Sequence, residues 1–211
     1  MKNRVSMVLG AQRLSALGLN RGSSGNIGVR LKNSFLVTPS GIPADELLPQ
    51  MMVEMDFSGM VLGAGKPSSE WRFHRDILAA RSDMGAVVHT HSRYATSLAC
   101  LQRDIPAFHY MIAAAGGDTI RCAPYALFGT QELSDLALQA LRERKACLLG
   151  NHGMIALGTD LKAALALTLE VESLAQQYWT ALQLGEPSIL SSQQMQAVME
   201  KFKSYGPGAS A

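Results

Sequence analysis

Two histidines one residue apart, His89 and His91, close the apolar run Val87-Val88. β-branched residues running into a polar alternation predict a buried strand, on which side chains at i and i+2 share one face about 6.5 Å apart. His89 and His91 then aim two imidazoles at one point, half of a site for zinc or a similar divalent metal. Glu70, at the head of the preceding helical pattern, and His152, in the turn Gly150-Asn151-His152-Gly153, can complete the usual four ligands. Each has a plainer reading beside this one. A glutamate in a first helical turn suits the helix dipole, and a lone buried histidine is more often a hydrogen-bonded core residue. The plainer reading is given to His74 and His109. His74, four residues after Glu70, shares its helix face and is placed to brace it from behind.

The elements that must carry these residues follow from periodicity. Val5, Val8, Leu9, Leu14 and Leu17 are spaced for an amphipathic helix that Gly18 and Asn20 stop. A Gly/Ser loop over 21–26 leads to strands at 27–30 and 35–38; its backbone amides suit either a hairpin connection or an anion. Pro43 is placed to start a short helix through Leu48, and residues 51–55 alternate as a strand. Ser68 is a suitable N-cap for a helix running to about Ala80, with Glu70 in its first turn. That helix start, with two hydroxyls, is also a seat for phosphate. Helices are predicted over 94–101, 132–144, 161–184 and 193–202, and strands over 146–149 and 154–157; 105–117 shows no period. Strands in the middle with helices around them predict an α/β layered fold with a mixed sheet. The expected organisation is one domain over 1–211 with a mobile tail from about 204.

Composition narrows the function. The net charge of +2 is spread without a basic block, which speaks against nucleic acid and anionic membrane partners. No run of apolar residues is long enough to span a bilayer, and Gln12, Arg13 and Ser15 interrupt the apolar start that a signal peptide would need. Three cysteines, odd in number and without a C-x-x-C, fit reduced and mostly buried thiols. The expectation is a soluble cytoplasmic protein.

Longer stretches carry a resemblance. They include Leu17-Gly18-Leu19-Asn20, Gly25-Asn26, Thr38-Pro39-Ser40-Gly41-Ile42-Pro43 and Pro67-Ser68-Ser69-Glu70-Trp71-Arg72-Phe73-His74. Val87-Val88-His89-Thr90-His91 and His109-Tyr110-Met111-Ile112-Ala113-Ala114-Ala115-Gly116-Gly117 continue the series, and Cys122-Ala123-Pro124-Tyr125-Ala126, Phe128-Gly129-Thr130, His152-Gly153 and 201–206 close it. The chain resembles the class II, zinc-dependent L-fuculose-phosphate aldolases, lyases within the wider aldolase II and adducin-like group. The resemblance implies a three-layer αβα fold on a mainly antiparallel sheet. It implies zinc, or another divalent metal, on Glu70, His89, His91 and His152, with Glu70 also the catalytic acid/base. Asn26, Ser40, Gly41, Ser68 and Ser69 match positions that hold the substrate phosphate. Tyr110 matches a catalytic tyrosine reaching a neighbouring subunit's site, which implies a homotetramer; Phe128 and Tyr205 match positions at the aldehyde end. Gly28, Ser92 and Asn151 depart from the pattern, Gly28 at a place expected to touch the phosphate side.

The implied reaction is reversible cleavage of a ketose 1-phosphate to dihydroxyacetone phosphate and a small aldehyde. L-Fuculose 1-phosphate leads, and 5-deoxy- or 5-methylthio-ribulose 1-phosphate stand close behind. A divalent metal can stabilise the developing oxyanion without a Schiff-base lysine, and no lysine here lies in an apolar, activating context. The same metal set also serves a ribulose-phosphate 4-epimerase or a phospho-sugar-acid decarboxylase, the latter with Arg93 or Arg121 for the carboxylate. An adducin-like interaction domain, which need not keep all four ligands, ranks last.

Overall fold

The computed structural model describes residues 1–204. A seven-stranded sheet runs in the order β3-β2-β1-β4-β7-β6-β5. Its strands are β1 (Asn26–Arg30), β2 (Ser34–Val37), β3 (Val53–Asp56), β4 (Ala86–Thr90), β5 (Arg121–Ala123), β6 (Ala146–Leu149) and β7 (Gly153–Gly158). All neighbours are antiparallel except β5 and β6. The helices are α1 (Lys2–Ala16), α2 (Trp71–Ala80), α3 (Arg93–Cys100), α4 (Gln131–Ala140), α5 (Leu161–Leu184) and α6 (Ser192–Lys203). This is the layered arrangement the sequence predicts.

Strand alternation sorts the core into two sides. Val87, Ile155 and Leu157 face one way, onto Phe73, Ile77 and Leu78 of α2 and Leu133 and Ala137 of α4. Val88, Met154 and Ala156 face the other way, towards α1, α3 and α5. α5 packs across β4 and β7, so both its flanks meet protein, in keeping with its Ala- and Leu-rich sequence. Asp160 caps it by accepting from the Ala163 amide at 2.7 Å.

Several elements depart from expectation. α1 buries Met7, Val8, Gly10 and Leu14, while Val5, Leu9 and Leu17 lie exposed. The stripe is shifted because Gly10 lets the helix come close: a Cβ there would stand 3.2 Å from Leu165 Cδ1. No helix forms over 43–48; a turn covers 44–46, and a short 3₁₀ helix follows at Pro49–Met51. Pro49 forces Leu48 into extended backbone, which a helix through Leu48 cannot accommodate. α4 stops at Ala140, short of Arg144, which turns away to donate to the Thr119 carbonyl and the Asp118 carboxylate. β5 and the 3₁₀ helix Tyr110–Ala115 lie in segments for which no element was expected. Cys100 is exposed rather than buried, and only Cys147 is fully enclosed. No helix among the described residues is long and apolar enough to cross a membrane.

Candidate active site

β4 ends at Thr90, so His89 is its penultimate residue and His91 lies just beyond it. The two-residue spacing nevertheless holds, with the Nε2 atoms 3.0 Å apart. β6 and β7 form a hairpin whose three-residue loop carries His152, and Asn151 sits in the left-handed region at φ 55°. This loop swings His152 beside the pair, and one nitrogen from each of the three imidazoles lies within 4.8 Å of the others. Gly153 makes the convergence possible. A Cβ there would collide with the Thr90 carbonyl and stand 3.1 Å from the His91 ring and 3.2 Å from the His89 ring.

Glu70 occupies the N-cap position of α2, one residue before the helix, not the first turn. Its side chain makes no cap hydrogen bond and turns instead to the histidines. Oε2 is 3.3 Å from His89 Nε2, and Oε1 is 3.3 Å from His152 Nε2. Ser68 is not the cap; its hydroxyl accepts from the Glu70 amide at 3.3 Å and so steadies the turn.

The donor set fits a divalent cation. His89 donates from Nδ1 to the Met154 carbonyl at 2.9 Å, which leaves its Nε2 lone pair facing His91 and Glu70. Burial, then the neighbouring His91, holds the His89 pKa down to about 3. Burial, then His89, lowers His152 to about 4, and burial lowers His91. Three neutral nitrogens around a buried carboxylate whose Oε1 has no hydrogen-bond donor are what a metal would satisfy. His74 is braced differently from expectation: it reaches Glu70 only through Asn26, and burial, then His89, holds its pKa down to about 3. His109 is a local cap, its Nδ1 accepting from the Met111 amide.

A pocket of about 370 Å³ opens above the cluster. It gathers Asn26, Ser40, Gly41, Ser68, Ser69 and Phe128 around Glu70, His91 and His152, while His89 lies sealed beneath. A bridge between Pro39 and Pro67 sets the Ser40-Gly41 turn against the Ser68-Ser69 turn at the N-terminus of α2. Hydroxyls and a helix N-terminus at one mouth make an anion seat. Gly129, at φ 75°, packs against the Ser69 carbonyl and brings Phe128 to the rim.

Tyr110 is 49% exposed and does not line this pocket; it borders a separate hollow of about 1040 Å³ with Met111, Lys145 and Phe202. Gly28 is not at the phosphate side; it lies two residues from Asn26 on β1, against the His74 ring. Tyr205 lies outside the described residues. Neither Arg93 nor Arg121 lines the pocket, and Arg121 donates to the Ala140 and Arg142 carbonyls.

Some residues at the site were given no role there from the sequence. Asn20 Oδ1 accepts from the His91 amide at 3.0 Å, anchoring the segment after β4. Ser23, Ser24, Tyr125 and Asn151 complete the pocket wall. The Gly/Ser composition of 21–26 signalled the first two, Tyr125 lies in a stretch that carries the resemblance, and Asn151 stood out only as a departure from it.

A family profile described as "Class II Aldolase and Adducin N-terminal domain" matches residues 6–179. The chain is 56% identical over 206 residues to a 5-methylthioribulose-1-phosphate/5-deoxyribulose-1-phosphate aldolase of Rhodospirillum rubrum, covering 98% of this chain and 93% of that one. It is 49% identical over 194 residues to the L-fuculose phosphate aldolase of Escherichia coli, covering 92% and 90% respectively. The fold matches a solved L-fuculose 1-phosphate aldolase with a TM-score of 0.92 at 40% identity, covering 95% of each chain.

Proposed function

We propose a substrate and a mechanism from one premise: the chain belongs to the class II aldolase and adducin family and is an aldolase. It cleaves a ketose 1-phosphate reversibly to dihydroxyacetone phosphate and a small aldehyde. The sugar is L-fuculose 1-phosphate or a 5-deoxy- or 5-methylthio-ribulose 1-phosphate, the substrates named for its relatives. The carrying observation is the Glu70 carboxylate, 5% exposed, facing three neutral imidazoles on one side and a hydroxyl-lined anion seat on the other.

In this reading Ser40, Gly41, Ser68, Ser69 and Asn26 hold the phosphate. His89, His91, His152 and Glu70 hold the divalent cation, taken to be zinc. When bound, that cation supplies Lewis-acid stabilisation of the oxyanion that develops as the carbon–carbon bond breaks. The C3–C4 bond cleaves with its electron pair passing to C3, and the C4 hydroxyl loses its proton as the aldehyde forms. Glu70 delivers a proton to C3 in cleavage and removes it in synthesis. Tyr110 of a neighbouring copy exchanges the proton at the aldehyde oxygen. Its absence from its own chain's pocket and its half-exposed place beside an apolar hollow support that assignment and a homotetramer. Phe128 and Tyr205 shape the aldehyde end. The chain acts as a single domain over 1–211, in the cytoplasm.

Hydrogen–deuterium exchange at C3 of dihydroxyacetone phosphate, followed by NMR in D₂O, tests the core of this reading without any aldehyde. Exchange that stops on chelation and returns with zinc is expected. A folded, metal-loaded protein that exchanges nothing would overturn the proposal.

A further inference from the structure

We propose that His74 is a positioning residue of this aldolase: through Asn26 it fixes the Glu70 carboxylate, and Gly28 is the cradle that admits its ring. The inference rests on the proposed role of Glu70. His74 and Glu70 lie four residues apart at the start of α2, and both side chains reach towards the sheet. Between them stands Asn26, paired in register with His89 on the neighbouring strand. Asn26 Nδ2 donates to Glu70 Oε2 at 2.9 Å, and Asn26 Oδ1 meets His74 Nε2 at 2.5 Å.

The chain of contacts fixes its own polarity. A carboxylate accepts, so the amide must turn its NH₂ towards Glu70 and its oxygen towards His74. An amide oxygen also only accepts, so His74 carries its hydrogen on Nε2. The lone pair is then on Nδ1, and Nδ1 is fully buried without a hydrogen-bond partner. Such an orphan is costly, and the useful half of the ring is the donor. Without that donor, Asn26 can rotate or flip, and a flipped amide would set oxygen against oxygen at Glu70. Three buried side chains thus leave Glu70 Oε2 a single aim, beside His89.

Gly28 explains why the ring fits. It follows Asn26 by two residues and faces the same side of β1. A Cβ at 28 would collide with His74 Nδ1 and stand 2.9 Å from Cγ, at the fixed stem of the ring. In this chain Gly28 therefore leaves the room that the ring occupies, and it does not line the phosphate pocket.

The test compares H74F, which keeps a ring but loses the donor, with H74Q, whose side-chain amide reaches the position of Nε2. Both are read by C3 exchange of dihydroxyacetone phosphate in the zinc-loaded protein. The maximal exchange rate of H74F should fall about tenfold or more, with KM changed by no more than about threefold and H74Q restored to within about threefold of the parent. A purely structural role would instead lower thermal stability and leave the rate per folded molecule intact. In the metal-free parent protein, ¹⁵N NMR of the imidazoles should show His74 as the Nε2–H tautomer. An unaltered rate in H74F, an H74Q no better than H74F, or an Nδ1–H tautomer would each overturn the inference. If H74F does not fold, H74Q and the tautomer decide it. E70Q separates the two claims: full exchange in E70Q removes the premise, whereas an inactive E70Q beside a fully active H74F removes only the relay.

Discussion

The two ends of the pocket are built by different means. At the inner end His89 is completely buried, Glu70 nearly so, and each is held by partners on separate elements. At the outer end Phe128 is 61% exposed, and Tyr125 and Leu127 beside it are exposed too, on an irregular segment between β5 and α4. Nothing in the described part of the chain encloses this end as the sheet encloses the histidines. The difference teaches where the chemistry is fixed and where it varies. In the proposed mechanism bond cleavage needs a rigid charge arrangement, while the small aldehyde would be chosen by a few rim contacts. Relatives named for different sugars, at 56% and 49% identity, fit such a division.

The sharpest way to break this contrast is E70Q. Loss of a general acid/base costs about 10²–10⁴ in rate, and C3 exchange should fall by that much while inorganic phosphate still competes for the seat. Retained exchange would move the proton transfer away from Glu70. Chelation comes next. If the metal binds only the folded state, stripping it from about 100 Kd should remove about 2.7 kcal/mol of stability, visible as a lower melting temperature that zinc restores. A melting temperature indifferent to chelation would mean that the three imidazoles hold no metal.

G153A probes the rigidity of the inner end more gently. The added methyl meets the Thr90 carbonyl and crowds both His89 and His91, so about 1–3 kcal/mol of destabilisation is expected, with weaker zinc uptake measured by competition with a chromophoric chelator. Parent-like affinity would show that the hairpin gives way easily. The smallest effect belongs to the rim. F128A should shift the kcat/KM ratio between 5-deoxy- and 5-methylthio-ribulose 1-phosphate by about tenfold, with C3 exchange unchanged. A collapse of exchange in F128A would erase the distinction between the two ends.

The inner end was also the more legible. His89 and His91 announce themselves because a strand repeats every two residues, so a sequence offset maps directly onto a face. Glu70 and His152 were recognisable as residue types, yet no spacing rule brings the head of a helix, 19 residues before His89, and a hairpin loop, 63 residues after it, to the same strand end. Where local rules met tertiary demands, the latter prevailed. Ser68 is a good cap by type, but the N-cap position went to Glu70, whose side chain the histidines draw inward. Arg144 fits a helical period, but its guanidinium finds Asp118 and the Thr119 carbonyl only by leaving the helix.

The sequence by itself determined the alternation of strands and helices, the long buried α5 and the face shared by His89 and His91. These follow from backbone periodicity and the burial of apolar stripes, which are properties of neighbours along the chain. Only the tertiary structure decided that β1, β4 and β7 lie side by side, so that Asn26 and His89 lie beneath α2 and Gly153 meets the histidines. Only there does Gly28 prove to be the space that His74 fills. Hydrogen-bond polarity and steric room are set between segments far apart in sequence, and they exist only once the sheet has formed.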